Sequence, residues 1–284
     1  MTPTPIPFTD FGGTGDSLHF LHANGYPPAC YNPLIGHLKP HFRIFGMHLL
    51  PLWSDLKPED LRDWHPLSDD LLRFLADRGE GPVVGVGHSI GGTVSLRAAL
   101  KEPQRFRALV LLDPVIFPPS FIVFWNIMRA SGMGWKFHPF IRGTVGRRSQ
   151  FDDLEIVFRG YRRREVFRYV SDENLRAYIN GITRPRADGG YELAFSPEWE
   201  AQLYYNGIWR DFDLWRGLKD LQVPTLIIRG AETNTFWAKT AERVRRVNPK
   251  VQIETLEKTT HIIPLEEPEK VSRLIVEFAN RIYS

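Results

Sequence analysis

The chain has 284 residues, a length that fits a single α/β domain with an insertion, and its 43% hydrophobic and 24% charged residues are the balance expected of a soluble globular protein. Lys and Arg number 36 against 33 Asp and Glu, a net charge of +3, too small an excess to point to a nucleic-acid partner. The single cysteine, Cys30, excludes an internal disulfide and a cysteine-based zinc site, and no cofactor or metal is expected. The opening "MTPTPIPFTDFGG" lacks the basic start and apolar stretch of a signal peptide. Apolar runs such as "FIVFWNIM" are too short to span a bilayer, so a cytoplasmic protein is expected.

In chain order, "LHFLHANG" (18–25) and "FRIFGMHLL" (42–50) read as strands. "DLRDWHPLSDDLLRFLADRG" (60–79) has helical spacing and stops at Gly79, which serves as a C-cap. "VVGVGHS" (83–89) is a third strand, and "GGTVSLRAALKEP" (91–103) a helix ended by Pro103. "ALVLLDPV" (108–115), "TLIIRG" (225–230) and "VQIETLE" (251–257) are further strands. "FWAKTAERVRRVNP" (236–249) and "PEKVSRLIVEFANRIY" (268–283) are helices. Most of the strand runs lack polar alternation, as strands buried on both faces of a parallel sheet do. Alternating strands and helices predict a mainly parallel, doubly wound α/β sheet flanked by helices.

The alternation stops between about Phe117 and Gly217. This stretch is rich in Trp, Tyr and Arg, reads as helical in "FRGYRRREVFRYVSDENLRAYI", and contains no clear strand. Because strands resume after it, it is predicted to be a mostly helical cap over one end of the sheet. The expected division is a core of residues 1–117 and 218–284 with a cap of residues 118–217, inserted after the sixth strand.

Residues 85–92, "GVGHSIGG", concentrate four glycines around one serine. A phosphate loop would need Lys after the last Gly, and a dinucleotide fingerprint would need Gly where Ile90 stands. The pattern that fits is G-x-S-x-G, Gly87-His88-Ser89-Ile90-Gly91, after a strand and before a helix. A serine on so sharp a turn has strained backbone angles, and its neighbours must be small for the chain to pass. The turn exposes the Ser89 hydroxyl as a nucleophile and aims the Ile90 N–H at an oxyanion. A serine needs a base. Of nine histidines, His65 and His138 read as surface residues, and His37 and His41 flank a loop. His261, in "LEKTTHIIPLEEPEKV", follows the last predicted strand and so lies on the sheet edge that carries Ser89.

Taken in order, "HANGYPP", "GHSIGG", an insertion after "LLDPV", "VPTLIIRGAE" and the terminal H-x-x-P-L-E-x-P resemble the α/β-hydrolase superfamily along nearly the whole chain. The resemblance implies a mainly parallel sheet with a helical cap and a serine hydrolase, most often acting on esters. It also implies an oxyanion hole completed by the N–H after an H-G-like pair, here His22-Ala23, so that Asn24 donates together with Ile90. His22 itself is expected to brace the loop. The family usually places an Asp a few residues after the strand "TLIIRG". Here Gly230-Ala231-Glu232-Thr233-Asn234 offers only Glu232. Some members place the acid one strand earlier, where this chain has Asp113. The expected catalytic set is therefore Ser89, His261 and Asp113, with Glu232 as the alternative acid.

The expected reaction is hydrolysis of a small or medium, largely apolar carboxylic ester through an acyl-enzyme. Phe121, Phe124, Trp125, Trp135 and Trp209 are candidates to line an apolar pocket. A lactonase, thioesterase or C–C bond hydrolase would use the same residues. A reading of another class is a non-catalytic interaction protein on the same fold, binding through the Arg-rich "YRRRE" face. The expected partner is a small ester-like molecule, with no nucleic acid and no membrane span.

Overall fold

The computed structural model describes residues 4–283. Five strands come first: β1 (Phe8–Gly12), β2 (Asp16–Leu21), β3 (Phe42–Met47), β4 (Val83–His88) and β5 (Phe106–Leu112). A long segment follows. It contains seven α-helices and three short strands, β6 (Gln150–Phe151), β7 (Thr183–Pro185) and β8 (Tyr191–Leu193). The chain then returns through β9 (Thr225–Gly230) and β10 (Gln252–Leu256). The central sheet runs β1-β3-β2-β4-β5-β9-β10. Every pairing in it is parallel except that of β1 with β3.

The continuous apolar runs have the burial expected of strands covered on both faces. Every residue of β4 and of β9 is buried. β5 divides its side chains between two cores. Leu109 and Leu111 join Leu71, Leu75 and Val94 on one face, where the helices His65–Asp77 and Ile90–Lys101 lie. Ala108, Val110 and Leu112 join Leu34, Ile35, Ile275 and Phe278 on the other, with the helices Asn32–Leu38 and Pro268–Tyr283. Among the described residues, no helix is long and apolar enough to cross a membrane.

Three details depart from the sequence reading. The inserted segment leaves the sheet after the fifth strand of the chain rather than the sixth. It is not free of strands, since β6, β8 and β7 form a small antiparallel sheet; strands of two or three residues are too short to carry a period. β1 has no counterpart in the sequence reading, because "FTDFG" is half-exposed and short.

Parallel strands deliver their C-terminal ends to one edge, and the loops there hold the candidate residues. His22 to Gly25 follow β2, Ser89 follows β4, Asp113 follows β5, Glu232 to Thr235 follow β9, and His261 follows β10.

Candidate active site

Ser89 sits between the last residue of β4 and the first of the helix Ile90–Lys101, with φ +56° and ψ −122°. Positive φ strains a non-glycine residue by roughly 1–3 kcal/mol, and the surrounding packing holds the turn. A Cβ on Gly87 would strike the Gly91 carbonyl, and one on Gly91 would strike the Leu21 carbonyl of the neighbouring strand. The helix therefore starts hard against β2 and β4, a closeness that only glycine permits. The Ser89 N–H donates to the Leu112 carbonyl at 2.9 Å, tying the turn to β5.

Ser89 Oγ lies 2.9 Å from His261 Nε2, and His261 Nδ1 lies 3.1 Å from Asp113 Oδ1. Asp113 is fully buried and has φ +43°, which turns its carboxylate along the sheet edge toward β9. Oδ2 accepts the Gly230 N–H at 2.8 Å, and Oδ1 accepts the hydroxyls of Thr233 at 2.6 Å and Thr235 at 2.5 Å. Thr235 Oγ1 is also 2.8 Å from His261 Nδ1. With its proton given to Asp113, Thr235 accepts from the His261 Nδ1–H, which the ring thus shares between two acceptors. The other ring nitrogen, Nε2, is left to accept from Ser89.

Glu232, the alternative acid, points elsewhere. Its side chain is exposed and bonded to Arg168 and to the Tyr169 hydroxyl, the latter at 2.9 Å. The Arg168 and Tyr169 hydrogen bonds hold its carboxyl below the usual range. It makes no hydrogen bond to His261 among those of the described residues. Of the two carboxylates, the structure brings only Asp113 to the imidazole.

The loop after β2 is braced by buried histidines. His22 Nδ1–H donates to the Ala23 carbonyl at 2.9 Å, and Nε2 accepts the Leu49 N–H at 3.0 Å. Burial lowers its pKa to about 3 and keeps it neutral. The Ala23 N–H is committed to Tyr31 Oη at 3.0 Å, so the next amide, that of Asn24, is the one this loop can offer. The Asn24 side chain donates to the Glu200 carbonyl at 3.0 Å, which anchors the loop to the inserted segment. The Ile90 N–H belongs to the first turn of its helix and has no intrahelical carbonyl to bond.

Further residues hold the site, and the sequence reading assigned them no role. His88 Nδ1 accepts from Tyr31 Oη at 2.8 Å, and Nε2–H donates to the His261 carbonyl at 2.9 Å. Burial keeps this imidazole neutral, with its pKa well below the usual histidine value. The path Ala23–Tyr31–His88–His261 thus joins the loops after β2, β4 and β10. Glu266 grips the His261 loop from the far side, accepting the Thr260 N–H at 2.8 Å and the Thr260 hydroxyl at 2.7 Å. The signals were present in the sequence: His88 is the second residue of G-x-S-x-G, Glu266 lies in the terminal H-x-x-P-L-E-x-P, and Thr233 and Thr235 follow the strand run "TLIIRG", where the resemblance implies an Asp. Among the described residues, no group of three or more His, Cys, Asp or Glu side chains is arranged to hold a metal ion.

The five aromatics expected to line a pocket separate. Trp125 is buried in the core, Phe121 and Trp209 are half-buried, and Phe124 and Trp135 face outward. Beside the Thr233–Thr235 loop the rings are instead Phe117, Phe121 and Trp237, with centroids 4.7–5.2 Å apart. His138, expected at the surface, packs against Trp125, Phe140 and Tyr204.

Among known proteins, the alpha/beta hydrolase family matches residues 20–274. The chain belongs to the alpha/beta hydrolase family. It is 24% identical to a 2-(acetamidomethylene)succinate hydrolase of Mesorhizobium japonicum, over 94% of this chain and 88% of that protein. It is 29% identical to a type I acyl-CoA thioesterase of Penicillium brevicompactum, over 52% of this chain and 36% of that longer protein. A crystal structure of an E-2-(acetamidomethylene)succinate hydrolase superposes with a TM-score of 0.76 at 22% identity, covering 95% of this chain and 93% of that one. The thioesterase domain from the curacin biosynthetic pathway superposes with a TM-score of 0.69 at 15% identity, covering 95% and 98%. These structural likenesses carry the fold. The chain thus spans about a third of the length of the thioesterase and most of the length of the succinate hydrolase that it matches.

Proposed function

We propose that this alpha/beta hydrolase cleaves a small or medium, largely apolar carboxylic ester through an acyl-enzyme, with residues 118–217 as a cap on a core of residues 1–117 and 218–284. The observation that carries the reading is the unbroken line from Ser89 Oγ to His261 Nε2, 2.9 Å, and from His261 Nδ1 to Asp113 Oδ1, 3.1 Å. In this reading His261 takes the Ser89 proton while Ser89 Oγ attacks the acyl carbon. The Asn24 and Ile90 N–H groups receive the negative charge that develops on the carbonyl oxygen. His261 returns the proton to the leaving alcohol. Water, activated by the same imidazole, then releases the acid from the serine. Asp113, hydrogen-bonded to His261, holds the ring in the tautomer that leaves Nε2 free to accept.

The rings of Phe117, Phe121 and Trp237 beside the site support an apolar substrate. Relatives that include an acyl-CoA thioesterase and a 2-(acetamidomethylene)succinate hydrolase support a hydrolytic reaction. A fluorophosphonate probe should label Ser89, and the Ser89→Ala variant should resist it. A panel of short- and medium-chain p-nitrophenyl esters, lactones and acyl thioesters should show the highest kcat/KM for esters. Absence of labelling in the folded protein would overturn the mechanism, and a preference for lactones or thioesters would replace the substrate class alone.

A further inference from the structure

The helix Pro119–Ala130 is mostly apolar, with large apolar side chains on its outer as well as its inner face and only Ser120, Asn126 and Arg129 polar. Ile122 and Trp125 on its inner face are buried, while Val123, Phe124 and Ile127 on the outer face are 48%, 52% and 62% exposed. A helix facing water carries polar residues on that side, and a helix apolar on both faces is ordinarily covered on both. The short helices that follow, Gly134–Phe137 and Ile141–Val145, continue the surface with Trp135, Phe137 and Phe140 at 43–59% exposure. Eight of the thirteen exposed large hydrophobic side chains among the described residues fall between positions 123 and 145, so they form one concentration rather than a scatter. Surfaces of this kind mark a partner or a membrane.

The charge identifies which. Residues 119–145 contain no Asp or Glu and three Lys or Arg, and the next two arginines, Arg147 and Arg148, pair with Glu200 and Asp152. Lys136 and Arg142 are exposed among the aromatics, and the Lys136 ammonium lies 5.7 Å from the centre of the Phe137 ring. A second copy docked symmetrically on the same face would set these cations near one another in an apolar contact. An anionic lipid surface takes both features at once: apolar side chains enter the headgroup boundary, and basic ones meet phosphate. We propose that the outer face of residues 119–145 is a docking surface for an anionic phospholipid bilayer, on which the protein lies without crossing it. The tilted rings of Phe124 and Phe121 have centroids 5.8 Å apart, and Phe121 contacts Phe117 and Trp237, so an apolar path runs from the docked face to the loop that holds Asp113.

The test is flotation of the whole protein with vesicles of phosphatidylcholine alone and of phosphatidylcholine mixed with phosphatidylglycerol. The protein should float with the mixed vesicles, less so at high salt, and weakly with phosphatidylcholine alone. Lys136→Ser and Arg142→Ser should each lower partitioning about fivefold. Ile127→Ser combined with Phe137→Ser should lower it about tenfold or more. All four side chains are exposed, so thermal melting should be unchanged and loss of flotation will not reflect unfolding. Flotation that is absent in the wild type, or unaffected by the Ile127 and Phe137 substitutions, overturns the proposal. So does a concentration-dependent dimer in sedimentation velocity, dissolved by those substitutions without any flotation; that result assigns the face to a second copy.

Discussion

Thr235 Oγ1 lies 2.8 Å from His261 Nδ1 while its proton reaches the Asp113 carboxylate at 2.5 Å. The loop after β9 therefore meets the imidazole with a neutral hydroxyl, and the carboxylate comes from Asp113 at the end of β5. In the proposed mechanism Thr235 positions both groups. Thr235→Val removes the hydroxyl at nearly constant volume, leaving the carboxylate short of one donor and Nδ1–H short of one acceptor. It should lower kcat about tenfold with KM little changed, and Thr235→Ser should restore most of the loss. Equal rates in Thr235→Val and the wild type would show that Asp113 alone orients the ring.

Replacing the buried acid is the larger perturbation. Asp113→Asn should lower ester turnover by roughly 10³ to 10⁴, because the amide favours the wrong histidine tautomer. Glu232→Gln breaks only an exposed pairing with Arg168 and Tyr169, and should cost less than about tenfold. Steady-state kinetics on both variants with one p-nitrophenyl ester decide the matter, and a reversed order would move the acid to Glu232.

Ser89→Ala should abolish turnover and leave the fold intact, since the turn is held by the glycines around it. His261→Ala should lower turnover on the order of several thousandfold with little change in melting temperature, because its side chain is partly exposed at the end of a loop. A variant of either residue that unfolds instead would assign that side chain a structural role.

Gly91→Ala tests the turn itself. The added Cβ would meet the backbone carbonyls of Leu21 and His22, which cannot move aside as a flexible side chain could. A loss of about 1–3 kcal/mol in urea unfolding is expected, with loss of fluorophosphonate labelling as the helix start shifts. Gly36, where a Cβ meets nothing within 4 Å, gives the control, and Gly36→Ala should be close to neutral.

Stability should fall in acid because histidines are buried neutral. His19 is fully buried, packed against Phe45 and Phe74, and its pKa is lowered to about 3 by burial first and by the nearby Arg78 charge second. The unfolded chain takes up this proton near pH 6.5, and the folded one only near pH 3. Between those values the unfolded state binds more protons, so stability is complete above about pH 6.5 and declines as pH drops, by up to about 1.4 kcal/mol per pH unit for this group. Urea unfolding across pH 7 to 4 should give a shallower slope for His19→Gln than for the wild type. Parallel slopes would trace the acid sensitivity to other groups.

The alternating strands and helices, the G-x-S-x-G turn and the position of His261 after the last strand were legible because each depends on local chemistry. Unbroken apolar runs specify doubly covered strands, glycines mark where backbones must touch, and parallel strands bring their following loops to one edge whatever the rest of the chain does. For the carboxylate, the resemblance pointed to Asp113 and kept Glu232 as the alternative, and only the tertiary structure separates the two: Asp113 Oδ1 lies 3.1 Å from His261 Nδ1. Asp113 and Glu232 both follow strands of that edge, and their sequence contexts carry no signal for direction. Asp113, at φ +43°, turns inward to three donors, the N–H of Gly230 at the end of β9 and the Thr233 and Thr235 hydroxyls on the loop that follows. Glu232 turns outward because the inserted segment sets Arg168 and Tyr169 beside it. The brace from Ala23 through Tyr31 and His88 to His261 joins residues up to 173 positions apart, and no period or spacing records such a contact. Likewise, helical spacing identifies Val123, Phe124 and Ile127 as neighbours, but whether that face meets protein or solvent is decided by where the other elements pack.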